Sequence, residues 1–183
     1  GSNTGGSIMS VLSNTGIRMG ASGAGGGDAY QIEKSLRFNP GDNPYLENDL
    51  SSASTTHTVS FWLKNCMNTT ALTYDFYFSC GTSPYCAIAA YENQIYLYNG
   101  AHNISSGCFL RDPSAWYHVL VSANSGTATL YVNNEQIHSV TGWSFGGTSR
   151  IGGHYGGGYP INGLISEFHY IDGTALDADS FGE

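Results

Sequence analysis

The sequence predicts an all-β protein built as an antiparallel β-sandwich, and three observations carry that prediction. From residue 35 onward, short alternating runs follow one another with turn residues between them. Glycine supplies 25 of 183 residues and tyrosine 13, which joins tight turns to strand-forming aromatics. No segment sustains a 3.6-residue apolar period. The length suits one domain. We read residues 1–34 as a Gly-rich N-terminal arm, flexible or docking, and residues 35–183 as the sandwich.

Each strand has its own signal. Residues 35–39 alternate and run into Pro40-Gly41, a turn. In 57–64, Val59, Phe61 and Leu63 share one face while Ser60, Trp62 and Lys64 take the other. Residues 73–79 are aromatic and strand-like; 86–91 and 94–98 are two short runs joined near Glu92-Asn93. Residues 116–123 and 127–132 flank Asn124-Ser125-Gly126. Asn133-Asn134 tolerates the left-handed φ of a type I′ hairpin and leads into 135–140. In 161–171, Ile165 and Phe168 lie three apart, which predicts a bulge or burial on both faces. One helical turn is expected near 177–181, with Asp177 as N-cap. Each half-apolar strand must bury one face, so two packed sheets are the expected solution.

Charge narrows the function classes. Six Lys and Arg face 14 Asp and Glu, a net charge of −8. The cations are scattered, so phosphate neutralisation, and with it nucleic-acid binding, is excluded. No apolar run approaches the length of a membrane-spanning helix, and membrane insertion is not expected. Residues 1–6 have neither a charged n-region nor an apolar h-region, so no signal peptide is read there. Sequons occur at Asn68 and Asn103.

Four cysteines, Cys66, Cys80, Cys86 and Cys108, contain no C-x-x-C spacing. Cys80 and Cys86 flank a turn, so a bond across a hairpin is plausible and would leave Cys66 with Cys108; four reduced thiols are the alternative.

The order of motifs resembles laminin-G-like domains of the concanavalin A-like lectin/glucanase superfamily, whose fold is a jelly roll. The resemblance is carried by Ser35-Leu36-Arg37-Phe38, Tyr45-Leu46, Thr58-Val59-Ser60-Phe61-Trp62-Leu63-Lys64, Trp116-Tyr117-His118-Val119, Leu130-Tyr131-Val132-Asn133-Asn134 and Ile161-Asn162-Gly163-Leu164-Ile165-Ser166-Glu167-Phe168. A narrower likeness joins Leu12-Ser13-Asn14-Thr15-Gly16-Ile17-Arg18 to Ile171-Asp172-Gly173-Thr174-Ala175-Leu176 and Phe181-Gly182-Glu183. These stretches resemble laminin-G-like proteins of marine phage particles, generally tail-fibre or other virion-surface parts. The resemblance implies a virion-surface or extracellular setting.

The superfamily includes glycoside hydrolases, which need two carboxyls about 5–5.5 Å apart. No Glu-x-Asp-x-x-Glu cluster occurs, and Glu167 and Asp172 are five apart, on opposite faces of an undistorted strand. There is no Gly-x-Ser-x-Gly, and six histidines are scattered; His57, His118 and His169 are expected in solvent-facing or cross-strand positions. A non-catalytic protein is therefore expected. Related lectin domains often bind calcium through loop oxygens, which makes Asp42 and Asn43, near Asn48-Asp49, candidate calcium ligands; an ordinary turn explains the same residues.

The binding candidate is the Gly-rich segment 141–160. Trp143, His154, Tyr155 and Tyr159 are the candidate glycan contacts, with Phe145 beside them. Sugars present flat C–H faces to aromatic rings, and glycine lets backbone amides approach closely. The same composition suits a protein–protein contact, or rings that only cap the core. Two functions follow. One is a virion-surface module that binds host glycans or mediates adhesion. The other is a structural tail, fibre or capsid component that meets other virion proteins, or copies of itself, through the N-terminal arm. A cellular extracellular lectin is a third.

Overall fold

The structure is a computed structural model, and it describes residues 32–50, 52–66, 74–81, 85–100, 102–103 and 106–181. The expected N-terminal arm, apart from residues 32–34, lies outside the described residues, as does the Asn68 sequon.

Among the described residues, twelve strands form two antiparallel six-stranded sheets. The first has the order β1 (Leu36–Phe38), β12 (Gly163–Asp172), β3 (His57–Asn65), β8 (Tyr117–Asn124), β9 (Thr127–Val132), β10 (Glu135–Thr141). The second has the order β2 (Leu46–Asp49), β11 (Thr148–Ile151), β4 (Tyr74–Cys80), β5 (Cys86–Tyr91), β6 (Gln94–Tyr98), β7 (His102–Asn103). The all-β sandwich expected from alternation is the observed fold.

Period-two patterning builds the core. Val59, Phe61 and Leu63 of β3 and Val119 and Val121 of β8 point inward from the first sheet. They meet Phe78, Ile88, Ile95 and Leu97 of the second. Fully burying side chains of this size contributes about 1.5–3 kcal/mol each.

The turns follow the residues that permit them. Asn133 and Asn134 have φ of 50° and 67°, the left-handed pair expected of a type I′ hairpin. Glu92 and Asn93 adopt φ of 50° and 64° between β5 and β6. The irregularity in β12 is a bulge: the register with β3 shifts between Ser166 and His169, and Glu167 has φ 51°. It turns Phe168 inward, where its ring stacks on Phe61 at 5.6 Å. The helical turn is a 3₁₀ turn, Ala178–Ser180; Asp177 accepts from the Ser180 hydroxyl at 2.7 Å rather than capping a backbone N–H.

Three strands escaped the sequence reading. β2 (LEND) is rich in poor strand formers and fully exposed, and its pairing to β11 holds it in place. β11 lies inside the glycine-rich segment, which is therefore not one loop. β7 has only two residues.

The histidines expected at solvent-facing or cross-strand positions divide between the two, and those with cross-strand contacts, His57 and His118, are buried. The Nε2 of His118 meets the Ser60 hydroxyl at 2.8 Å. His169 remains exposed. Of the two alternatives for the cysteines, the structure shows the reduced one, with no disulfide joining Cys66, Cys80, Cys86 or Cys108. Cys80 and Cys86 do face each other as cross-strand partners. The Cys80 thiol donates to the carbonyls of Cys86, at 3.6 Å, and Ser144, at 3.8 Å. Burial pushes the Cys86 and Cys108 thiols up, away from the thiolate that attacks in disulfide formation.

Candidate functional site: a tyrosine face on the second sheet

The outer face of an antiparallel sandwich sheet is commonly polar. In β4, β5 and β6 it is not. A second apolar cluster, separate from the core, joins Phe76, Ala87, Ala89 and Tyr96, with Tyr74, Tyr85, Tyr91 and Tyr98 packed around it. The cause is visible in the register: Tyr74 pairs with Tyr91, Phe76 with Ala89, and Ala89 with Tyr96. Small alanines on the central strand leave room for large rings on its neighbours. Tyr74 and Tyr91 lie 4.8 Å apart, and Tyr85 stacks on Tyr98 at 4.5 Å.

Residues 152–160 complete this face. β11 is too short to pair with all of β4, so the following chain takes over the edge. Gly152 N–H donates to the Tyr77 carbonyl at 3.0 Å, and Phe76 N–H to the Tyr159 carbonyl at 3.4 Å. The loop also closes on itself, since His154 N–H donates to Gly158 O at 3.1 Å and Gly157 N–H to His154 O at 2.8 Å. Ser79 Oγ holds Gly153 O at 2.9 Å. Gly81 leaves space underneath: a Cβ there would lie 2.5 Å from Cδ2 of Tyr155.

Three of the four residues expected to contact glycan meet here. His154 lies 4.5 Å from Tyr155 and 5.9 Å from Tyr159, and edge-on to Phe76 and Tyr85, both at 5.1 Å. Tyr159 is 51% exposed. It stands over Phe76 at 5.5 Å and Tyr74 at 6.0 Å, with a left-handed φ of 52°. A non-glycine residue in that region is held there by its surroundings.

Trp143 is the exception and corrects the sequence reading. It is 0% exposed, and its indole N–H donates to His57 Nε2 at 3.1 Å, so no ring face is open to a ligand. Phe145, also buried, stacks on His57 at 4.7 Å. The large aromatics 143 and 145 belong to the core; only 152–160 reaches the tyrosine face.

The electrostatics are specific. Gly156 N–H donates to His154 Nδ1 at 3.1 Å, which places the proton of the neutral ring on Nε2. Burial, and next the nearby Arg150 charge, hold the His154 pKa below its ordinary 6.5. Burial and a hydrogen bond to Tyr98 raise that of Tyr85 far above 10.0. Arg150 braces the loop, with Nε on Glu47 at 2.7 Å, Nη1 on His154 O at 3.2 Å, and its guanidinium over the Tyr45 ring at 4.0 Å.

The calcium candidates sit apart, on a turn. Asp42 ends a 3₁₀ turn, Pro40–Asp42, and its Oδ2 accepts from Asn39 Nδ2 at 2.9 Å; Asn43 follows with φ 48°. Asn48 and Asp49 are in β2. Calcium needs six to eight oxygens. Among the described residues, no three His, Cys, Asp or Glu side chains gather to hold a metal ion.

Residues 39–180 match the family described as the Concanavalin A-like lectin/glucanases superfamily. The chain belongs to this superfamily. Solved superfamily-like folds agree. Domains LG4-5 of the mouse laminin alpha1 chain match with a TM-score of 0.56 at 17% identity, over 81% of this chain and 44% of that one. The heptameric SAP-like pentraxin of Limulus polyphemus matches at 0.54 and 20%, over 78% and 76%. The CBM40 of the Ruminococcus gnavus IT-sialidase, solved bound to alpha2,3 sialyllactose, matches at 0.51 and 15%, over 82% and 97%. At these identities the likeness is one of fold. No curated protein sequence matches the chain.

The missed signal for the site was two-sided apolarity. Residues 86–91 (CAIAAY) are apolar at every position, and Tyr96 and Tyr98 lie out of phase with the inward Ile95 and Leu97. A strand apolar on both faces is covered on both faces.

Proposed function

We propose that this chain is a non-catalytic carbohydrate-binding module acting outside the cell, with the tyrosine face as its binding surface. The observation that carries the reading is Tyr159, half-exposed and fixed by a hydrogen-bonded loop above Tyr74 and Phe76. Rings held in place by the fold lose little entropy on stacking against a sugar. Two of the similar structures support the reading: one is a carbohydrate-binding module bound to a sialylated sugar, the other an arabinanase domain in complex with arabinotriose. Of the carboxylates bordering the face, Glu47 is paired to Arg150 and Glu92 lies near Tyr91, which is no glycosidase pair.

A glycan array probed with the full chain tests this reading. Retention on at least one saccharide, without release of product, supports it; no retention at high protein loading overturns it.

Display on a virion surface rests on the sequence likeness of 12–18 and 171–176 alone, the first stretch lying outside the described residues. A structural virion role is the second reading, favoured by edge strand β2, which is exposed throughout beside the exposed Tyr45. Native mass spectrometry of the full chain separates the two readings: a symmetric oligomer favours assembly, a monomer the binding module. Sugar-linked mass at Asn68 or Asn103 would instead favour a cellular lectin.

A further inference from the structure

The geometry points to an uncharged saccharide as the ligand of the tyrosine face, with sialylated, uronic and sulfated sugars rejected; this inference rests on the carbohydrate reading above. Binding an anionic sugar at a partly desolvated site calls for a cation whose charge is not already matched by a carboxylate. The chain has six Lys and Arg in all. Among the described residues Arg150 is the one that braces this face, and its charge is already matched by the Glu47 carboxylate at 2.7 Å. Nε binds Glu47, Nη1 binds the His154 carbonyl, and its plane lies on Tyr45. Arg37 is held by Asn162 and two carbonyls, and Arg111 lies over Phe109.

His154 adds no charge either. Its Nδ1 accepts the Gly156 N–H, so it meets the ligand as a neutral ring. What remains is ring faces and phenolic hydroxyls, which both donate and accept. That is the complement of a neutral sugar, with apolar C–H faces and hydroxyl edges. An acidic sugar also meets the Glu47 carboxylate and the chain's net charge of −8.

Matched pairs test the inference: lactose against alpha2,3 sialyllactose, and neutral galactose oligomers against oligogalacturonate, titrated calorimetrically into the full chain. The expected result is binding to a neutral member with at least a tenfold loss on its acidic partner. Preference for the acidic members overturns the inference and leaves the carbohydrate reading standing. Binding to neither, nor to any glycan on an array, overturns that reading and the inference with it. Glu47→Gln, which frees Arg150 Nε, is expected to narrow the neutral-to-acidic gap. An unchanged gap overturns the assignment of discrimination to the Arg150–Glu47 pair.

Discussion

Trp143 donates its indole N–H to His57 Nε2 at 3.1 Å, while His57 Nδ1–H donates to the Ser54 carbonyl at 3.1 Å. The two bonds fix one neutral tautomer inside the sandwich. Burial holds the His57 pKa down to about 4, from an ordinary 6.5.

Acid is therefore expected to loosen the fold through His57. The folded state keeps the ring neutral while the unfolded chain takes up a proton below pH 6.5. The stabilisation is complete above pH 6.5 and is lost as pH falls toward 4, by about 3 kcal/mol for this group. His118 and His154, whose pKa values are also lowered, act in the same direction. Urea unfolding from pH 7 to pH 4 measures the slope, and His57→Gln is expected to reduce it.

Trp143→Phe separates core from site. It leaves His57 Nε2 buried without its donor, which costs about 1–3 kcal/mol. Glycan affinity is expected to stay within twofold of wild type, because the indole has no open face. Denaturation and calorimetry on the same sample check both halves.

Binding is expected to weaken in acid as well. Phe76, Tyr85, Tyr155, Tyr159 and Arg150 surround His154, and protonating Nδ1 breaks the Gly156 bond and sets two cations together. Affinity falls at a pH below 6.5, since the His154 pKa is lowered. Titrations at pH 7.5 and 4.5 should show the loss, and His154→Gln should lack it.

Gly81→Ala places a methyl group against the Tyr155 ring. The ring must swing away from Tyr85, its neighbour at 5.2 Å. Glycan affinity is expected to fall severalfold while unfolding free energy changes by less than about 1 kcal/mol, as calorimetry and urea unfolding would show.

The strands were legible where one rule acted alone. Val59, Phe61 and Leu63 alternate with polar neighbours, and Asn133-Asn134 announces its turn. β2 was illegible because its residues disfavour strands and only the pairing with β11 orders them. Tyr155 and Tyr159 were legible as candidates from glycine and aromatic composition, and the structure brings both to the tyrosine face. Trp143 misled because that same composition continues into the core, and nothing local distinguishes an indole facing His57 from one facing water. The partners that make Tyr159 a platform, Tyr74 and Phe76, lie some eighty residues away and come together only through the loop's hydrogen bonds to β4.

The most direct measurement is the affinity of Tyr159→Ala for a neutral glycan that the wild type retains on an array. Tyr159 is half-exposed, so the variant is expected to unfold at nearly the wild-type temperature. It is expected to bind about tenfold more weakly, a loss of about 1.4 kcal/mol. Undiminished affinity in a folded variant would contradict the placing of recognition on the tyrosine face.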